Sequence, residues 1–225
     1  MTNKEISKYI NRLNLKKGSE TIFCREISDN VIIAKVWPKQ PKLSDSINGN
    51  FSSYNFFFIR NDFGKYIGAV LDMYSDLHWF ISPKFRKQGF LTNAMKQSIL
   101  PYIFYNREKQ QITISRGIGK KEYLNSKKVA ESLGFSSTNL EMDEFLLKKT
   151  DFDWKNESLN EHNGSLNEQR IELLRKRVSY ASKLLSKTSD ELLMTYNNDE
   201  NLSELVDKTN YYIWSIEDLF LEQEK

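Results

Sequence analysis

The apolar positions of this chain follow two regimes: up to about residue 148 short apolar runs alternate with turn-forming clusters, and beyond residue 165 they recur at helical spacing. Residues 3–13 place Ile6, Ile10 and Leu13 on one side of a short helix, and residues 20–25 and 31–37 read as strands. The stretch 38–53, rich in Pro, Ser, Asn and Gly, is a loop. Residues 54–60 and 66–73 predict a hairpin around Asn61-Asp62-Phe63-Gly64, whose glycine can take the positive φ of such turns. A third strand, 77–81, ends before Pro83, which cannot donate to a ladder. A helix over about 89–105 follows, then a strand at 111–115, a helix at 123–133 closed by Gly134, and strands at 135–138 and 145–148. An antiparallel meander leading into strand–helix–strand units predicts an α/β domain with some parallel pairing.

Residues 150–164 are polar and aperiodic and read as a linker, within which His162 has no visible role. Beyond them Ser165 and Glu168 form a capping-box pattern. Ile171, Leu174, Val178, Ala181, Leu185, Thr188 and Leu192 then recur at alternating spacings of three and four. After the turn-like Asn197-Asn198-Asp199, Leu202, Leu205, Thr209, Tyr212, Ile216 and Leu219 repeat the spacing, broadened by Val206, Ile213 and Phe220. Two antiparallel, coiled-coil-like helices follow. A second capping pattern at Thr188 and Glu191 leaves open whether the first is continuous. Stripes this wide exceed what two helices bury on each other, so the hairpin packs on the body or on a second copy as a homodimer. The expected organisation is a domain at 1–149, a linker at 150–164 and a helical hairpin at 165–225.

Charge sharpens that division. Residues 1–150 carry 24 basic and 14 acidic side chains, net +10, and residues 151–225 carry 9 and 16, net −7. The basic body suits an anionic ligand such as a phosphorylated cofactor, and would equally suit RNA. A chain of 225 residues is long enough for one full domain plus a smaller unit. A single cysteine, Cys24, excludes an intrachain disulfide. With no apparent secretory leader and no apolar run near the ~18 residues of a membrane span, a soluble, cytoplasmic protein without membrane contact is expected.

Candidate chemistry concentrates between Leu77 and Thr92, where a strand ends at a proline, a short loop carries Arg86 and Lys87, and Gly89 opens a helix. A helix start offers unpaired backbone N–H groups and the positive end of the helix dipole, and glycine lets a ligand approach closely, which together make an anion cradle. Ile81, Arg86 and Gly89 occupy the positions of motif A of the GNAT acetyltransferase superfamily: an apolar strand residue followed by Arg or Gln in R/Q-x-x-G-x-G/A. The wording W-F-I-S-P-K-F-R-K-Q-G-F-L-T-N-A-M is similar to the branch of ribosomal-protein N-terminal acetyltransferases. Residues 125–135, Asn125-Ser126-Lys127-Lys128 through Gly134-Phe135, resemble motif B, in which an Asn starts a helix that ends in Gly-Phe. The resemblance covers roughly Tyr54 to Lys148.

The resemblance implies a mixed, mostly antiparallel twisted sheet flanked by helices, and acetyl-CoA as acyl donor without a metal. Backbone amides from Arg86 to Leu91 would hold the pyrophosphate, and the strand ending at Phe80 and Ile81 would pair with the pantetheine arm. Lys87, Gln88, Phe90 and Thr92 fall in the same loop and helix start, and Asn125 and Lys128 would contact the cofactor from the other side. An amine of a protein or small molecule would attack the acyl group directly. Leu91 departs from the motif's Gly or Ala. The position four before Gly134, where many members carry an acid Tyr, is Ala130, with Tyr123 and Ser126 as nearby substitutes unless Ser126 simply caps the helix. Asp76 and His78, two apart on one strand, are the candidate bases. Two alternatives stand beside this enzyme: one that acetylates aminoacyl-tRNA, and a GNAT-like module that binds coenzyme A without catalysis.

Overall fold

The computed structural model describes residues 1–17, 20–49, 52–139, 143–160 and 164–223, in two compact units, Met1–Asn163 and Gly164–Lys225. His162 lies outside the described residues.

The body opens with helix α1, Asn3–Asn14. Thr2 caps it reciprocally: Glu5 N–H donates to Thr2 Oγ1 at 3.3 Å, and Thr2 N–H to Glu5 Oε2 at 2.6 Å. Strands β1 (Ile22–Ser28), β2 (Val31–Val36), β3 (Tyr54–Arg60), β4 (Tyr66–Asp72) and β5 (Leu77–Ile81) then form a five-stranded antiparallel sheet in chain order. Strand β3 shows why the sheet is covered twice. Phe56 and Phe58 face the α1 layer with Ile6 and Ile10, whereas Phe57 and Ile59 face a second, larger core, so the strand reads as a continuous apolar run. Gly68 on β4 has a different task. A Cβ there would lie 2.2 Å from Ile81 Cδ1 and 2.9 Å from the Phe80 carbonyl oxygen, so the missing side chain admits β5 at its observed position.

The second core is roofed by helix α2, which runs from Phe90–Ala94 through a π turn, Met95–Ile99, to Leu100–Phe104. Pro101 lacks the N–H that would bond the Gln97 carbonyl four residues earlier, and that carbonyl instead accepts from Ser158 N–H at 2.9 Å. Strand β6 (Lys109–Thr113), helix α3 (Lys120–Ser132) and strands β7 (Ser136–Asn139) and β8 (Glu144–Lys148) complete a three-stranded antiparallel sheet in the order β6-β8-β7. The expected parallel pairing reduces, among the described residues, to one bridge, Asp76 with Gln111. The architecture is thus mixed α/β, with two antiparallel sheets where the sequence suggested one. Helix α3 starts earlier than expected, so Asn125 lies inside it rather than at its start.

The segment expected to be a linker from residue 150 is in part body. Phe152 is 7% exposed in the second core, its ring is 5.4 Å from Phe104 and 5.2 Å from Trp154, and Asn160 N–H donates to the Ile27 carbonyl at 2.9 Å. Isolated aromatics in a polar stretch carry no periodicity, which is why the pattern hides them.

In the second unit, helices α4 (Glu168–Tyr196) and α5 (Leu202–Gln223) form the hairpin. Asn167, and not Ser165, is the N-cap of α4, accepting from Arg170 N–H at 2.9 Å. The helix passes through Thr188 without a break, the Thr188 hydroxyl bonding back to the Leu184 carbonyl at 3.0 Å. The seam is also rotated from the expected stripe. Ser182 and Ser189 are buried in it, Ser182 donating to Asn210 Oδ1 at 2.7 Å and Ser189 to Asp199, while Arg175 reaches Glu217 at 2.9 Å. Ala181 and Thr188, and Leu205, Tyr212 and Leu219, are exposed instead. Buried serines with partners on the other helix and in the connecting turn override a register read from apolarity alone. No helix among the described residues is long and apolar enough to cross a membrane.

Candidate functional site

Strands β5 and β6 start side by side and then part. Asp76 marks the fork: its Oδ1 accepts from Leu77 N–H at 2.8 Å and from Thr113 N–H at 2.9 Å, standing in for the backbone acceptor that the diverging strands no longer supply. Beyond it opens a cleft of about 600 Å³, walled by residues 77–81 on one side and 112–115 on the other, with the start of α2 and one face of α3 at its flanks.

The free edge of β5 has a defined chemistry. Ser82 N–H bonds the Ile67 carbonyl, and antiparallel alternation then directs the N–H and C=O of Leu77, Trp79 and Ile81 away from β4, where Asp76 Oδ1 takes Leu77 N–H and the others face the cleft. Arg86 Nε takes the Ile81 carbonyl at 3.0 Å, which fixes the loop against the strand it follows. Gly89 sits at φ 82° as the N-cap of α2, and Lys87 at φ 62°. A Cβ at Gly89 would meet only the Asn93 side chain, at 3.6 Å, so the glycine serves the backbone turn and leaves space in front of the helix start. The N–H groups of that first turn have no earlier turn to donate to. With Arg86, Lys87 and Lys128 lining the same cleft, this end of it is positively charged. Glu122 is the acidic lining residue among the described ones.

Of the residues singled out from sequence, Phe80, Ile81, Arg86, Lys87, Gly89, Phe90, Leu91, Thr92, Asn125, Lys128, His78 and Ser126 line this cleft. Gln88 does not. Its amide donates back to the Lys84 carbonyl at 3.0 Å, and it lines a second hollow behind α2. Asp76 is taken up by the fork, as above. Tyr123 also turns elsewhere, its hydroxyl donating to Asp143 Oδ1 at 2.6 Å. Asp143 is 8% exposed, accepts from Arg116 Nε at 2.6 Å, and receives Ile114 N–H on its carbonyl at 3.1 Å. Its carboxylate therefore ties the loop after β6 to the first turn of α3, and its backbone carbonyl holds the end of β6. The bond to Asp143 raises the Tyr123 phenol above its usual range, and the Arg116 and Tyr123 donors hold the Asp143 carboxyl below its own.

His78 lines the cleft and is half-buried, its Nε2 3.0 Å from Asn3 Oδ1 at the start of α1. Burial is the main cause that lowers its pKa below 6.5, and the nearby N-terminal ammonium adds to it. Both disfavour the imidazolium form. Sequence reasoning missed Asn3, Ile118 and Glu122 as lining residues. Glu122 had a signal, since it lies three and four residues before Asn125 and Ser126 and so on the same helix face. Asn3 had none, because only the packing of α1 on the sheet brings it to His78. Compared with protein-family models, curated proteins and solved structures, the chain has no match.

Proposed function

We propose that the body is an acetyl-CoA-dependent N-acetyltransferase of the GNAT type, acting on a primary amine of a protein or small molecule. The observation that carries this reading is the wedge between β5 and β6 opening onto the Gly89 start of α2, lined by Ile81, Arg86, Gly89 and Asn125 from both stretches that carry the resemblance. The donor set fits the group. A helix start with open space before it and three cations suits phosphates, a strand edge that turns Trp79 N–H and C=O and Ile81 N–H away from β4 suits the amides of a pantetheine arm, and about 600 Å³ is within the usual range for cofactor sites.

Bound acetyl-CoA would supply an activated acyl group, and the residues of this chain would hold it and move protons. Arg86, Lys87, Lys128 and the first turn of α2 would hold the phosphates, with Asn125 steadying the arm from α3. An attacking amine must lose a proton, and the cleft-lining His78, contacted by Asn3 and with its imidazolium disfavoured by burial, is the group assigned to take it. Ser126 on the facing wall is the hydroxyl assigned to the departing sulfur. Asp76 and Tyr123 are assigned scaffold roles by their present hydrogen bonds.

Calorimetric titration of acetyl-CoA into wild type and Gly89→Glu tests the cofactor site, because the substitution sets an anion where phosphate should lie. Micromolar binding lost in a folded variant is expected; a wild type that does not bind refutes the reading. One observation favours a second reading. Ala130, at the usual position of the acid tyrosine, is fully buried in the core and offers no hydroxyl, as expected of a module that binds coenzyme A without turnover. Binding with no transfer to any amine would select it.

A further inference from the structure

The seam between α4 and α5 leaves a second apolar ridge on each helix. On α4 this is Leu174, Ala181 and Thr188, and on α5 Leu205, Tyr212 and Leu219, each set at a strict spacing of seven. Leu205 is 47%, Tyr212 60% and Leu219 62% exposed. In both helices the ridge lies one residue before a seam position (Arg175, Ser182 and Ser189; Val206, Ile213 and Phe220), about 100° round the helix. Equal offsets of the same sense in an antiparallel pair fall on one face, so the hairpin has a continuous apolar side. The opposite side carries Ser179, Lys183, Ser186, Ser203 and Asp207, together with Leu221 and with Trp214, whose ring lies 5.5 Å from the Arg175 guanidinium.

We propose that this side is the interface with a second copy of the chain, forming an up-down-up-down four-helix bundle about a twofold parallel to the hairpin axis. The observed contacts set the heights, since Ser182 meets Asn210 and Arg175 meets Glu217. At those heights Ala181 is level with Tyr212, Thr188 with Leu205 and Leu174 with Leu219. The twofold sets α4 of one copy over α5 of the other without changing height. Two layers then set a larger residue over a smaller one, Tyr212 over Ala181 and Leu205 over Thr188, and the third pairs Leu219 with Leu174.

Charge agrees with the same arrangement. Arg170 comes level with Glu222 of the other copy, and the remaining flanking levels pair Arg177 with Ser215, Leu184 with Lys208 and Glu191 with Asn201, so no like charges meet. A face as long as α5, 22 residues or about 33 Å, and two helices wide, about 20 Å, offers roughly 650 Å² per copy. Specific interfaces bury about 600–1,000 Å² per partner, so the face is large enough for a stable dimer.

Sedimentation velocity on the full chain from about 1 to 100 μM tests the proposal. Wild type should sediment as a dimer, twice the 26.5 kDa chain mass. Tyr212→Glu, at an exposed position that leaves the hairpin's own seam intact, should give a monomer with unchanged helical circular dichroism. Arg170→Glu should weaken the dimer at least tenfold, and adding Glu222→Arg should restore it. A monomeric wild type overturns the proposal, as does a dimer that survives Tyr212→Glu. Failure of the double charge reversal to restore association overturns the stated pairing of the helices.

Discussion

Gly68→Ala should destabilise the body by a predictable route. The new methyl would meet Ile81 Cδ1 at 2.2 Å and the Phe80 carbonyl oxygen at 2.9 Å, both inside the limit that real Cβ contacts respect. The first contact is with the far end of a side chain that can change rotamer, whereas the second is with backbone held in the β4–β5 ladder. Overpacking of this kind costs about 1–3 kcal/mol. At about 2–4 °C per kcal/mol for a chain of this size, the melting temperature should fall by roughly 2–12 °C. Ile81→Val removes Cδ1 and with it the shorter contact, so the double variant should be more stable than the sum of the single effects by about 0.5–1 kcal/mol or more. Thermal and urea unfolding of the four proteins measure the cycle. On the proposed function, the same displacement of β5 should also weaken acetyl-CoA binding in calorimetry, because Ile81 lines the cleft. A neutral Gly68→Ala, or strict additivity with Ile81→Val, would refute the argument that the bare backbone at Gly68 sets the position of β5.

Phe152→Ala should cost about 3–5 kcal/mol in urea unfolding despite lying in a stretch of polar sequence, because its ring is buried between Phe104 and Trp154. For His78, a folded pKa below 6.5 means that the unfolded chain binds the proton more readily, so stability should rise with pH between the folded value and about 6.5 and fall as pH drops through that window; this slope should vanish in His78→Gln. Asp143 has the same proton preference in a lower pH range, its lowered pKa giving stability that is present above its unfolded value and lost as pH falls through the folded one. Asp143→Asn should accordingly flatten the acid limb of unfolding and loosen the loop after β6, read as faster amide exchange at 115–119.

The sequence made the elements of the body legible because their apolar periods are unmixed. The Phe56–Ile59 run could only be a strand covered on both faces, and the Gly89 and Gly134 positions punctuated helices where they were expected. The cleft was legible for a related reason, since most of its lining belongs to two continuous stretches of chain. What local pattern could not carry were choices settled by distant partners. Thr113 N–H draws Asp76 into the fork, Asp143 draws Tyr123 away from the cleft, and Ser182 and Ser189 rotate the hairpin seam, and each of these depends on a residue at least ten positions away. The body's boundary failed similarly, because Phe152 and Trp154 have no apolar neighbours in sequence and find them only in the fold.

The proline in α2 gives the body an order of assembly. By residue 148 every strand and α-helix described in the body has been encoded, yet the Gln97 carbonyl that Pro101 cannot satisfy and the Ile27 carbonyl at the end of β1 still await donors. Those donors are Ser158 and Asn160, and the apolar cover for Phe104 arrives with Phe152 and Trp154. A nascent chain emerging from the N-terminus would therefore hold an unfinished domain until residues 149–160 are made, and a chain cut at residue 149 would keep its strands and helices while losing their last fastening.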